Sequence, residues 1–178
     1  MTTAPRSGRS PGRLDRAAIE TARRVDHVGV SVPDLDRAVD FFVHVFGASV
    51  AFRMDRPSPG TTMGSERLGV APDAQFSLAM LTFGSTSLEV LQWWPERSDA
   101  RPPDADLPGG THVSLAVDDV ASALERLRRV NGVEIVGDPV TFPAGATPGL
   151  TNAFLRTPWG ALIELVAWHP PATSEGES

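Results

Sequence analysis

The chain has no cysteine and no tyrosine, and all 16 of its basic residues are arginine, so it has no lysine either. The first absence excludes disulfides and thiolate chemistry. The others remove a Schiff-base lysine and a phenolic acid–base catalyst. No apolar run approaches the roughly 20 residues that a membrane span requires. A net charge of −6 argues against a nucleic-acid partner. Residues 1–24 carry Arg6, Arg9, Arg13, Arg16, Arg23 and Arg24, with no apolar stretch after them. They read as a flexible polar arm rather than a secretory leader, which makes the cytoplasm the expected location. Residues 169–178 read as a disordered tail. The hydrophobic fraction of 41 % is enough for one domain, or for two small fused modules.

What the chain does contain is a repeat. Asp26-His27-Val28-Gly29-Val30-Ser31-Val32-Pro33-Asp34-Leu35 corresponds to Thr111-His112-Val113-Ser114-Leu115-Ala116-Val117-Asp118-Asp119-Val120. Further on, Ser87-Leu88-Glu89-Val90-Leu91-Gln92-Trp93 corresponds to Leu162-Ile163-Glu164-Leu165-Val166-Ala167-Trp168. In the first copy, Val28, Val30 and Val32 alternate with His27, Gly29 and Ser31, as in a half-buried strand. Asp34 then caps a helix with apolar positions Leu35, Ala38, Val39, Phe42 and Phe46, stopped by Gly47. The second copy repeats this at a constant offset of 85 with Asp119, Val120, Ala123, Leu124, Leu127 and, in place of Gly47, Gly132. Short strands follow at 48–53 and 133–136, then Pro/Gly-rich loops at 57–64 and 143–148. Paired strands at 75–83 with 88–93, and at 150–157 with 161–168, close the copies. The class is α+β, two tandem β-α-β-β-β modules at 25–94 and 111–168, joined by a Pro/Asp-rich connector at 95–110.

Strand alternation assigns faces. His27 shares its face with Gly29 and Ser31, and His112 with Ser114 and Ala116. Glu89 lies with Ser87, Leu91 and Trp93, and Glu164 with Leu162, Val166 and Trp168. Each glutamate interrupts an apolar strand, where a carboxylate is costly unless a metal or partner compensates it. A lone histidine at a strand start is ordinarily a hydrogen-bonded edge residue, and a lone glutamate ordinarily faces solvent. Two of each at equivalent repeat positions are different. Modules facing each other across a pseudo-twofold would gather His27, Glu89, His112 and Glu164 into an octahedral metal site with positions open to substrate. His44 and His169 read as surface residues, and Trp159 as packing.

These motifs, His27-Val-Gly-Val-Ser-Val-Pro-Asp, Leu88-Glu89-Val, His112-Val-Ser-Leu-Ala-Val-Asp-Asp and Leu162-Ile-Glu164-Leu, resemble the vicinal oxygen chelate superfamily. That group includes glyoxalases, bleomycin-resistance proteins and extradiol dioxygenases. The resemblance covers about residues 25–168. It implies that the paired modules form a cupped eight-stranded mixed sheet around one divalent ion: nickel, cobalt, zinc, manganese or iron(II). Within the superfamily, dioxygenases use three protein ligands, whereas lyases and epimerases add a fourth from the first module, the place of Glu89. The full set resembles that of lactoylglutathione lyase and methylmalonyl-CoA epimerase. It implies proton transfer next to a chelated carbonyl, with Glu89 and Glu164 as the catalytic carboxylates.

Departures from those relatives bear on the substrate. Bacterial lactoylglutathione lyases carry Arg four residues after the first His and Asn four residues after the first Glu, to hold glutathione. Here Ser31 and Trp93 stand at those positions. Methylmalonyl-CoA epimerases often carry a histidine pair where this chain has Thr111-His112. The expected substrate is a small apolar or aromatic carbonyl compound, lined by Ser31, Leu91, Trp93, Ser114 and Trp168. Arg53 and Arg156 are candidates for binding an acidic group on it. A homodimer is expected, with no nucleic-acid or membrane partner. The rival readings are a non-haem iron ring-cleaving dioxygenase and a metal-free small-molecule binding or resistance protein.

Overall fold

The structure is a computed structural model that describes residues 19, 21–56, 68–96 and 102–169. Most of the arm expected over 1–24, the loop at 57–64 and the tail beyond 169 lie outside the described residues. The first module runs β1 (His27–Ser31), α1 (Leu35–Phe46), β2 (Ser49–Met54), β3 (Gln75–Phe83) and β4 (Thr86–Trp94). The second runs β5 (His112–Ala116), α2 (Val120–Leu127), β6 (Glu134–Thr141), β7 (Leu150–Arg156) and β8 (Leu162–Trp168). The two β-α-β-β-β modules are those the repeat predicts.

The helices start and stop for local reasons. Asp34 has an extended backbone, and its carboxylate accepts from the Arg37 amide at 2.9 Å, satisfying an otherwise unpaired first-turn donor. At the other end Gly47 takes the left-handed conformation (φ 71°) that a side chain would disfavour, and its amide donates to Val43 at 3.0 Å. Asp119 caps α2 in the same way, accepting from the Ser122 amide at 2.7 Å; that bond holds its carboxyl below the usual carboxylate range. The expected stop at Gly132 is not where α2 ends. Amides of Arg129 and Val130 donate three residues back, to Arg126 and Leu127, and this tighter winding ends the helix before Gly132 is reached.

Each module folds its strands into a four-stranded sheet, in the orders β1-β4-β3-β2 and β5-β8-β7-β6. The first strand of each lies parallel to the last, with matched register: Gly29 faces Glu89, and Ser114 faces Glu164. The remaining pairings are antiparallel. β6 extends well beyond the expected 133–136 and shifts register between Val136 and Val140, around Pro139. A proline lacks a ladder donor and is tolerated there because β6 is an edge strand. One chain therefore holds eight strands as two sheets, with no pairing between the sheets among the described residues.

The modules meet through their helical sides. Phe41 and Phe42 of α1 and Val120, Leu124 and Leu127 of α2 are buried in one cluster with Leu81, Val90, Leu155 and Leu165 from the sheets. Trp159, in the turn between β7 and β8, packs edge-on to Phe41 (ring centroids 5.2 Å apart) and Phe42 (6.0 Å). That turn is closed by the Gly160 amide donating to the Thr157 carbonyl at 2.8 Å and the Ala161 amide to the Thr157 hydroxyl at 3.0 Å. Trp159 is thus the packing residue its sequence position suggests. Trp159→Ala is expected to lower stability by about 2–4 kcal/mol, because it opens a cavity between the modules. Urea unfolding checks this, and an unchanged midpoint would mean that the modules are held by something else.

Candidate metal centre

The parallel pairing of β1 with β4 lays the start of one strand beside the middle of the other. His27 and Glu89 emerge on the same face, with His27 Nε2 3.9 Å from Glu89 Oε2. Gly29 lies beside Glu89 in the ladder, and a Cβ there would stand only 3.2 Å from Glu89 Oε2. The absent side chain is what gives this carboxylate its room. On its other side His27 presents Nδ1 to Asp26 Oδ1 at 3.1 Å. That contact, together with Arg24, holds the Asp26 carboxyl below its usual range. A carboxylate behind one ring nitrogen turns the other nitrogen outward as a ligand.

The second module repeats the arrangement with different neighbours. His112 Nε2 lies 3.6 Å from Glu164 Oε2. Glu164 Oε1 accepts from Asn152 Nδ2 at 2.8 Å, and the His112 ring meets Phe154 edge-on. The histidine side chains are 40 % and 46 % exposed and the glutamates 22 % and 15 %. The imidazoles are therefore reachable, while the carboxylates are sunk into the sheet face. Two donors about 2.1 Å from one ion at right angles stand about 3 Å apart, so each His–Glu gap is close to what a shared ion requires.

The four residues do not converge within one chain. Among the described residues no three of His, Cys, Asp or Glu are grouped closely enough to hold a metal ion. The chain carries two separate His–Glu pairs, His27–Glu89 and His112–Glu164, one on each sheet.

The expected substrate residues divide. Leu91 and Trp93 continue the Glu89 face of β4; Leu91 is buried, and Trp93 packs against Phe76. The Trp93 indole donates from Nε1 to Ser31 Oγ at 3.1 Å. Ser114 is exposed beside Glu164, and Trp168 at the end of the same face is 61 % exposed. Arg156, paired with Leu162 on the Glu164 face, donates to the Gly160 carbonyl at 3.3 Å. Arg53 is elsewhere. It pairs with Ala79 on the buried, helix-facing side and forms a salt bridge with Asp36 of α1, because the irregularity in β2 between Val50 and Phe52 turns it away from the glutamate face. Arg53 is therefore not part of this surface. Asn152 and Asp26 were not singled out from the sequence. Asn152 had a signal, an amide in phase with Phe154 on an apolar strand; Asp26 simply adjoins His27.

Comparison with known proteins agrees with this architecture. The Glyoxalase/Bleomycin resistance protein/Dioxygenase superfamily matches residues 24–165. A 2-epi-5-epi-valiolone epimerase from Actinomyces sp. is 38 % identical over 150 residues, spanning 83 % of this chain and 81 % of that protein. A lactoylglutathione lyase from Escherichia coli O157:H7 is 28 % identical over 153 residues, spanning 80 % and 91 %. In fold, the crystal structure of a glyoxalase family protein from Bacillus cereus superposes with a TM-score of 0.71 at 23 % identity, covering 87 % of this chain and all of that one. The chain belongs to the Glyoxalase/Bleomycin resistance protein/Dioxygenase superfamily, as an enzyme of its glyoxalase-like isomerase and lyase type.

Proposed function

We propose that two copies of the chain pair so that the His27–Glu89 half-site of one meets the His112–Glu164 half-site of the other, and that the completed sites catalyse epimerisation next to a carbonyl. The observation that carries this reading is the pair of matched half-sites held apart within one chain. Two-fold pairing of identical chains completes two such sites at once. The ligand-bearing strands favour it, because β1 and β5 each lie at an edge of their sheet, and an uncovered edge is a template for association. Exposed apolar residues accompany these edges and the site faces, among them Val28, Phe52 and Trp168. Their burial would drive the pairing.

The donor set of two imidazoles and two carboxylates fits one divalent ion: nickel, cobalt, zinc, manganese or iron(II). When bound, such an ion supplies a Lewis acid for the substrate's oxygens. The chain's own groups do the rest. An epimerase must remove the proton from one face of a carbon and return it to the other, and Glu89 and Glu164 offer a carboxylate for each transfer. Apolar Leu91 and Trp93 exclude water from the reacting carbon, while Ser114 and Arg156 offer polar contacts to substrate oxygens.

Epimerisation is favoured over glutathione-dependent lyase chemistry by Ser31 and Trp93. They occupy the positions where bacterial lactoylglutathione lyases hold glutathione, and here they are bonded to each other. The 38 % identical relative is itself named for epimerising a 2-epi-5-epi-valiolone, and we take inversion of that kind, on a small carbonyl compound, as the reaction.

Mixing inactive variants tests the pairing. His27→Ala and His112→Ala should each lose metal and activity while remaining folded. Mixed and re-equilibrated, they should recover about a quarter of wild-type activity, because half of the dimers are mixed and each has one intact site. No recovery would place the site within one chain. The reaction class is tested through Glu89. Glu89→Gln should reduce turnover, and solvent-deuterium exchange into the substrate, by about 10²–10⁴-fold. Undiminished turnover with stoichiometric oxygen uptake would instead identify a ring-cleaving dioxygenase.

A further inference from the structure

The repeat makes Glu89 and Glu164 equivalent in position, but their surroundings are not equivalent. Glu164 uses both oxygens: Oε1 accepts from the Asn152 amide at 2.8 Å, and Oε2 faces His112 Nε2 at 3.6 Å. Asn152 reaches it from β7, where it pairs with Val166, two residues beyond Glu164 on the same face. The matching place in the first module, opposite Leu91, is held by Leu78, which is buried and has no donor. Among the described residues Glu89 accepts no side-chain hydrogen bond; its recorded polar neighbour is His27, at 3.9 Å. The space beside it exists because residue 29 has no Cβ.

We propose that Asn152 is a positioning residue that fixes the orientation of Glu164 in the site, leaving Glu89 as the more mobile of the two carboxylates. The assignment rests on the metal-binding reading above. A carboxylate with one oxygen tied to an amide has lost rotation about its last side-chain bond, so the other oxygen is already aimed along the histidine it must join. Glu89 has no such tether, and its Oε2 lies over Gly29, where a Cβ would stand only 3.2 Å from it. It can turn towards a substrate carbon without breaking a bond to the protein. One module therefore supplies a fixed carboxylate and the other a mobile one, although both come from the same repeat.

The test is nickel affinity, measured on the full chain by competition with a chelator. Asn152→Leu, which copies the first module, and Asn152→Asp, which keeps the shape without the donor, should each weaken nickel binding about 10–100-fold, the usual effect of losing a ligand's hydrogen-bonding support. Because Asn152 acts through Glu164, adding Asn152→Leu to Glu164→Gln should cause no further loss. Glu164→Gln should also cost more affinity than Glu89→Gln. Wild-type affinity in both Asn152 variants, or losses that multiply in the double variant, would overturn the assignment while leaving the metal site standing. A wild-type chain that takes up no stoichiometric nickel would overturn the metal reading, and this assignment with it.

Discussion

The parallel pairing of the first strand of each module with its last is the constraint on which the rest depends. Parallel neighbours cannot be joined by a tight turn. The chain between them must leave, cross and return, and it does so as a helix and two further strands. The helix covers one face of the sheet, where Leu81, Val90, Leu155 and Leu165 are fully or almost fully buried. The opposite face carries the histidine from one partner strand and the glutamate from the other. Register then sets the chemistry. With Gly29 facing Glu89 and Ser114 facing Glu164, each carboxylate lies one side-chain step from its histidine. A slip of one residue in either ladder would send the glutamate under the helix.

Within a chain the modules are joined on their helical sides, by Phe41, Phe42 and Trp159. Burying those sides together leaves the glutamate faces without a partner among the described residues. Neither half-site is a complete coordination shell, since one imidazole and one carboxylate occupy only two positions around an ion. The packing that joins the modules and the His–Glu pairs thereby lie on opposite sides of each sheet. The aromatic contacts hold the two modules together, and β1 and β5 lie at the edges of their sheets.

Much of this was legible in the sequence, for identifiable reasons. The caps Asp34 and Asp119 are local signals, and both work as read. Strand alternation put His27, Glu89, His112 and Glu164 on matching faces because a period of two survives any arrangement of the modules. What failed was information the local sequence does not carry. Gly132 repeats Gly47 in position, but α2 tightens and stops before it. Arg53 is a candidate for an acidic substrate group from the sequence, but a register irregularity in β2 that the sequence does not signal turns it to Asp36. The gathering of four ligands depends on which module faces which, and nothing in the repeat distinguishes pairing within a chain from pairing between chains. Asn152 went unnoticed because its value lies in a contact twelve residues away, visible only once the β7–β8 register is known.

Native mass spectrometry of the metal-loaded protein, taken across a dilution series, tests the shared site most directly. The account predicts two divalent ions on each dimer and loss of both ions as dilution yields monomer. A monomer that retains a tightly bound ion would contradict it, since one chain would then complete the coordination shell alone.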